Sequence, residues 1–229
     1  MEFTKLSNRL DLVASFVPAG ARLLDVGSDH AYLPIALLQE GKIEAAIAGE
    51  VVEGPYQSAV QNIADNGLED KIEVRLANGL AAFEPTDCIS CITIACMGGR
   101  LIADILAAGL EKLASVSRLV LQPNNREDEL RVWLVDHDFR IVDEAILEEN
   151  EKFYEILVVE QGSQELSAKE LRFGPYLMRE QAPAFVQKWS KEVEKLAFAL
   201  EQVPVENQSA RASLEERIAQ IKEVLHVSK

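Results

Sequence analysis

The strongest constraint in this chain is an alternation. Between residues 22 and 160, short apolar runs that read as buried strands are separated by stretches with helical spacing. Arg22-Leu23-Leu24-Asp25-Val26 is the first run, followed by a helix over 31–40 in which Pro34 is tolerated only in the first turn. Strands follow at 44–50, 71–76, 88–95 and 117–122. Helices start near Pro55, after Gly98-Gly99, and at Asn124, a residue type that caps helices. Repeated strand–helix–strand order predicts a parallel sheet with helices on both faces, because the right-handed crossover returns each helix onto the sheet. Residues 138–148 and 151–160 read as a closing antiparallel pair, and residues 2–17 as an amphipathic helix ahead of the sheet.

After Gly162 the strand pattern stops. Phe185, Trp189, Leu196, Leu200 and Val203 recur at helical spacings, Pro204 interrupts, and Leu214, Ile218, Ile221 and Leu225 resume at four, three and four. This predicts a helical hairpin with a coiled-coil-like seam. The expected division is an α/β domain over 1–162 and a hairpin domain over 163–229.

Charge separates the same two parts. The chain of 229 residues has a net charge of −15, and residues 163–229 carry ten Lys/Arg against ten Asp/Glu, so the whole excess lies in the front. A broad basic face is excluded, and a polyanion has its easier approach at the tail. The N-terminus lacks a signal-peptide layout and no apolar run reaches membrane-spanning length, which predicts a cytoplasmic chain with no membrane contact. Cys88 and Cys91 have CxxC spacing, but the segment Cys88–Ala95 reads as a buried strand without a second ligand pair, so no metal is expected.

The polar residues at the strand ends carry the chemistry. In an open parallel sheet a ligand sits beyond the carboxyl ends of the strands. Asp25-Val26-Gly27-Ser28-Asp29-His30-Ala31 follows the first strand; Gly27 lets backbone pass close to a ligand, and Asp29 suits a cationic amino acid group. The run is neither a dinucleotide fingerprint nor a phosphate loop. Glu50, with Val51 beside it, stands twenty-three residues after Gly27, where a carboxylate accepts from ribose hydroxyls. Asn78-Gly79 either offers an adenine edge its donor and acceptor or is a plain turn. Cys96-Met97-Gly98-Gly99 follows the fourth strand, where two glycines leave backbone N–H groups and room for a ligand, or Met97 fills core. Gln122 and Asn124 follow the fifth; their amides line a substrate pocket, or Asn124 caps its helix. His30 either accepts a proton or fixes its loop, and His137 and His226 read as surface residues.

In order and spacing, Asp25-Val26-Gly27-Ser28-Asp29-His30-Ala31-Tyr32-Leu33-Pro34, Ala48-Gly49-Glu50-Val51, Met97-Gly98-Gly99 and Leu121-Gln122-Pro123-Asn124 resemble the bacterial tRNA (adenine-N1)-methyltransferases that modify position 22. One departure is Cys96, where the family pattern has glycine. The resemblance implies a Rossmann-like seven-stranded domain, S-adenosylmethionine as cofactor and tRNA as partner, in a monomer or weak homo-oligomer. It implies that Asp25, Gly27, Ser28, Glu50, Val51, Asn78, Gly79, Cys96 and Met97 surround the cofactor. Asp29 and His30 then lie near the transferred methyl, with Tyr32, Gly98, Gly99, Gln122 and Asn124 toward the substrate. In the tail, Arg172 and Lys188, with Lys169, Arg179, Lys191 and Lys195, are candidate phosphate contacts or an ordinary solvated face. A small-molecule methyltransferase and a non-catalytic cofactor- or RNA-binding module are the alternatives.

Overall fold

A computed structural model describes residues 4–226. Seven strands form one sheet: β1 (Ala21–Val26), β2 (Ile43–Glu50), β3 (Ile72–Leu76), β4 (Cys91–Met97), β5 (Arg118–Pro123), β6 (Phe139–Glu149) and β7 (Lys152–Gln161). Their order is β3-β2-β1-β4-β5-β7-β6, parallel from β3 to β5, with β7 antiparallel to both β5 and β6. The crossovers run through α2 (Tyr32–Gln39), α3 (Glu53–Asp65), α4 (Gly99–Ala107) and α5 (Glu127–Asp136), preceded by α1 (Asn8–Ser15).

The central strands are apolar on both sides because helices cover both faces. Successive side chains of β1 therefore enter different cores: Leu24 and Val26 join Ile92, Ile94 and Leu121, while Leu23 joins Leu33, Ile35 and Val120. The switch point of the topology falls between β1 and β4, and this directs the site to their carboxyl ends.

Several local readings change. The first helix begins only at Asn8, because the Ser7 side chain caps it by accepting from the Leu10 N–H at 3.3 Å; residues 2 and 3 of the expected helix lie outside the described residues. Asn124 does not cap α5. Arg126, in a left-handed conformation, precedes that helix. Cys88 is not in β4 but exposed on a left-handed turn, whereas Cys91 is buried and its thiol is pushed up by burial to about 12. His137 is half-buried, its Nδ1 2.7 Å from the Trp133 carbonyl and its ring stacked on that indole; the His226 side chain lies outside what is described.

Beyond β7 the expected hairpin is present as α8 (Pro183–Gln202) and α9 (Gln208–His226), preceded by two short helices that apolar spacing did not reveal, α6 (Ala168–Phe173) and α7 (Pro175–Glu180). Asn207 starts α9 by accepting from the Ala210 N–H, and Arg211 closes α8 by donating to the carbonyls of Leu200 and Val203. The hairpin does not stand apart. Phe173, Phe185, Trp189, Leu196 and Ile221 share a core with Ile146 of β6, each large apolar side chain contributing about 1.5–3 kcal/mol of burial.

An ion network reinforces the joint. Arg131 of α5, fully buried, donates to Glu144 of β6 and Glu155 of β7. Glu144 also accepts from the Tyr176 N–H of α7 at 2.9 Å. Lys188 of α8 donates to Glu155 at 2.7 Å and Glu127 at 2.9 Å. No helix of the described residues is long and apolar enough to cross a membrane.

Candidate cofactor and substrate site

The loop after β1 turns back at once. The N–H groups of Gly27 and Ser28 both donate to the Gly49 carbonyl at the end of β2, at 2.9 and 3.3 Å. Gly27 has φ +67°, and a side chain there would collide with the Met97 methyl group from β4. Glycine is favoured here by the left-handed conformation, while the Met97 methyl, the end of a flexible side chain, would only have to move. Asp29, His30 and Ala31 follow with φ of 42°, 68° and 58°, three left-handed residues in a row that have side chains. Each such conformation costs roughly 1 kcal/mol or more, and such strain persists where the surroundings hold it. Here the Asp29 N–H donates to Glu50 Oε1 at 2.6 Å, and Asn62 donates to the His30 carbonyl at 2.7 Å.

The carboxylates of this mouth play different parts. Asp25 is buried, its two oxygens accepting from the Ser28 and Thr93 hydroxyls at 2.6 Å each. Burial pushes its carboxyl up, against both hydrogen bonds. Asp25 and Ser28 therefore tie the loop to β4 rather than face a ligand. Glu50 is raised too, first by burial and then by the neighbouring Asp25 and Asp29 charges, against the Asp29 N–H. Its second oxygen takes no hydrogen bond from the described residues and is open to a diol. The Asp29 side chain is 85% exposed, with His30 Nε2 3.5 Å from its carboxylate. His30 in turn lies beside Tyr32, their ring centroids 5.6 Å apart, so both form the outer wall of the loop.

Beside Glu50, the ends of β2 and β3 leave a pocket of about 360 Å³ lined by Val51, Leu76, Ala77 and Asn78. Val51 is 62% and Leu76 50% exposed, and apolar surface left uncovered in a pocket is what an aromatic base covers. Gly79 does not face this pocket; it is buried against Ile105 of α4. Together, the Gly27 cradle, the open Glu50 oxygen and the apolar slot beside Asn78 match backbone approach, ribose and adenine, the three recognition elements of a nucleoside cofactor.

Across the switch point the pattern differs. Cys96 interrupts β4 with φ 64° at a bulge between Ala95 and Met97, and its side chain is exposed, not in the core. The left-handed backbone is the physical reason glycine is expected there. Gln122 is fully buried and does not line a substrate pocket: its Oε1 accepts from the Cys96 N–H at 3.1 Å and its Nε2 donates to Asn124 Oδ1 at 3.2 Å. It holds the bulge and orients Asn124, which is exposed. Gly99 leaves no ligand space, while Gly98, half-buried, faces the Asn125 side chain. A side chain on Gly99 would lie 2.5 Å from the Arg126 carbonyl oxygen, and the Gly99 N–H already donates to the Asn125 carbonyl at 2.9 Å.

From Asn124 a groove of about 860 Å³ runs between the start of β7 and α8. Lys152, Lys191, Lys195 and Arg217 line it with Tyr154 and Trp189, alongside the acidic Glu127, Asp128, Glu155 and Glu192. Arg172 lies on this wall, its guanidinium 4.9 Å from the Phe173 ring centroid and donating to Gln220. Lys188 does not serve as a free cation, because Glu127 and Glu155 neutralise it within the protein. At the surface Lys169 is paired with Glu223, Lys191 with Glu148, and Lys195 and Arg217 both with Glu192, whereas Lys152 and Arg172 have no carboxylate within ion-pair distance among the described residues. Lys152, Tyr154 and Arg217 are missing from the sequence-based site. A closing antiparallel pair read from spacing does not say that β7, and not β6, lies beside β5 and so starts near the carboxyl end of that strand. Among the described residues no cluster of His, Cys, Asp or Glu has metal-holding geometry.

Comparison with known proteins follows the same outline. A family model described as tRNA (adenine(22)-N(1))-methyltransferase, TrmK, matches residues 23–223. The Bacillus subtilis tRNA (adenine(22)-N(1))-methyltransferase is 40% identical over 237 residues, covering 98% of this chain and 99% of the relative. A Streptococcus pneumoniae structure in complex with S-adenosyl-L-methionine superposes with a TM-score of 0.90 at 66% identity, covering 97% of this chain and 100% of the other. Mycoplasma capricolum TrmK in complex with S-adenosyl-homocysteine superposes at 0.85 with 27% identity, covering 98% and 99%.

Proposed function

The chain belongs to the TrmK family, the tRNA (adenine(22)-N(1))-methyltransferases, and from that premise we propose how its residues move a methyl group from S-adenosylmethionine to N1 of adenine 22 in tRNA. The observation that carries the reading is the cradle at Gly27 and Glu50, at the carboxyl ends of β1 and β2, together with a groove of mixed charge that starts at Asn124 after β5. When bound, S-adenosylmethionine supplies an electrophilic methyl group on a sulfonium.

On the cofactor side, Glu50 accepts from ribose hydroxyls with its open oxygen. Val51 and Leu76 cover the adenine faces, and the Asn78 amide meets its edge. Asp25 and Ser28 hold the loop in place. On the substrate side, adenine N1 has an in-plane lone pair and attacks in line without prior deprotonation. The protein's work is therefore positioning and electrostatics. The target base must be splayed out of the tRNA fold to reach the mouth. The Asp29 carboxylate accepts from the N6 amine and thereby raises N1 nucleophilicity; His30 Nε2 takes the proton that the methylated base sheds from N6. Tyr32 flanks this pair.

The groove supplies the tRNA surface. Lys152, Lys191, Lys195, Arg217 and Arg172 approach backbone phosphates, and RNA is recognised there by shape and charge. The hairpin, residues 163–229, is thus a tRNA-holding domain built onto β6 and β7. Cofactor pocket and groove both come from one chain, which supports a monomer as the working unit, and a tRNA substrate supports a cytoplasmic location.

The test is methyl transfer from labelled S-adenosylmethionine to unmodified tRNA, with the nucleoside identified by mass spectrometry. The expected product is N1-methyladenosine, lost when adenine 22 is replaced. Methylation of a small molecule in the absence of tRNA, or cofactor binding without RNA methylation, would overturn the reading.

A further inference from the structure

Arg9 of α1 stands at the mouth with an unassigned guanidinium. Helix α1 packs across the sheet beside β4, β5, β6 and β7, and the Arg9 guanidinium lies 4.7 Å from the Tyr154 ring centroid. Tyr154 itself lines the groove together with Asn124. The pairing of β5 with β7 ends at Leu121 opposite Leu157, so Tyr154 lies beyond it, toward the carboxyl end of β5. Arg9 is therefore held where the groove meets the methyl-transfer mouth.

Its hydrogen-bonding capacity is unspent. Arg9 Nε is buried without a partner. The guanidinium makes no side-chain hydrogen bond or ion pair among the described residues, whereas Lys169 and Lys188 are each paired with carboxylates. Its charge reaches the end of β4: burial pushes the Cys96 thiol up, and the Arg9 cation opposes that push. Around it the mouth is acidic, with Asp25, Asp29 and Glu149 all acting on the same thiol. A phosphate approaching such a mouth is repelled unless a cation receives it. A guanidinium stacked on an aromatic face keeps its N–H fork in plane, the geometry that grips a phosphate with two parallel hydrogen bonds.

We infer that Arg9, seated on Tyr154, binds the tRNA backbone phosphate next to the target adenine and so fixes that base against the methyl-transfer mouth. The inference rests on the tRNA reading above. It assigns α1 to substrate binding, beyond the sheet and hairpin.

The test compares Arg9→Gln with the wild type in three measurements: S-adenosylmethionine affinity, KM for tRNA, and the salt dependence of tRNA binding. The expected result is unchanged cofactor affinity and a tRNA KM raised about ten-fold. The slope of log affinity against log salt should fall by about 0.7–0.9, one phosphate contact, and Arg9→Lys should restore the slope while only partly restoring KM. An arginine that merely pins α1 changes stability but not the salt slope, so an unchanged slope and KM overturn the inference. Should Arg9→Gln not fold, the Nε–H resonance of Arg9 in arginine-labelled wild type decides: a shift on adding tRNA supports the contact, and no shift overturns it. A wild type that methylates no tRNA defeats the functional reading instead, which separates the two failures.

Discussion

Two carboxylate clusters in this molecule differ in one respect, and that respect separates a strut from a binding site. Under the hairpin, Glu144 and Glu155 are buried with Arg131 between them and Lys188 on the far side, so each negative charge has a cation and nearly every polar atom has a partner. At the mouth, Asp25 is held by two hydroxyls and Glu50 by the Asp29 N–H, the Asp29 carboxylate has His30 beside it, and no lysine or arginine is paired to any of the three among the described residues. The first cluster is balanced within the protein. The second carries unbalanced charge on a strained loop, which suits a cationic ligand that arrives from outside. The first joins the sheet to the hairpin, and the second is where the proposed chemistry is placed.

The largest effect should come from unbalancing the strut. Arg131→Met leaves two buried carboxylates without their shared cation and should cost about 3–5 kcal/mol, read as a lower urea midpoint. A loss under about 1 kcal/mol would mean the network is not the joint between the sheet and the hairpin.

Next is the reverse experiment at the mouth. Asn tolerates the left-handed φ of residue 29 as Asp does, so Asp29→Asn should keep stability within about 0.5 kcal/mol while turnover on tRNA falls at least about 100-fold. Wild-type turnover would remove Asp29 from the chemistry.

Acid should act in opposite directions on Glu155 of the strut and Glu50 of the mouth, whereas Glu144, pushed up by burial in spite of Arg131, sides with Glu50. Burial opposes ionisation of Glu155, but Arg131 and Lys188 outweigh it and hold the carboxyl below 4.5. Its stabilising contribution is therefore present above pH 4.5 and is lost as pH falls through the lower folded value. Glu50 is raised above 4.5, mainly by burial, so its ionisation costs stability that returns as pH falls toward 4.5. In a pH–stability profile, Glu50→Gln should flatten the limb above pH 4.5, and Lys188→Met the limb below it. The same limb flattened by both variants would erase the distinction.

The smallest effect tests strain alone. Cys96→Gly relieves a left-handed residue worth about 1–2 kcal/mol, offset by about 0.4–1 kcal/mol of added unfolded-state entropy. The net should be a slight rise in Tm with activity retained. A fall in Tm would show that the exposed thiol makes a contact the bulge depends on.

Much of this was legible from the chain. The strand periods, and the positions of Gly27, Glu50 and Asn78 at the strand ends, were readable because each strand end meets a turn whose residue types are restricted by local geometry. Gln122 and Gly99 were misread for a reason that spacing does not carry. Their partners, Cys96, Asn125 and Arg126, come from the neighbouring strand end, so only the sheet register shows that the apparent ligand space is filled by the protein itself. Lys188 was misread likewise, since its partners Glu127 and Glu155 lie 61 and 33 residues away in the chain.

Sequence by itself determined the α/β order, the seven strands, the hairpin and the family, because periodicity and turn chemistry are local and the motifs lie within short segments. Tertiary structure decided which polar residues face a ligand and which hold one another. It set Tyr154 in one groove with Asn124 and under Arg9, and it separated the balanced carboxylates from the unbalanced ones. Those outcomes depend on strand direction and on pairings between distant segments, where burial and charge are settled by neighbours that no local pattern specifies.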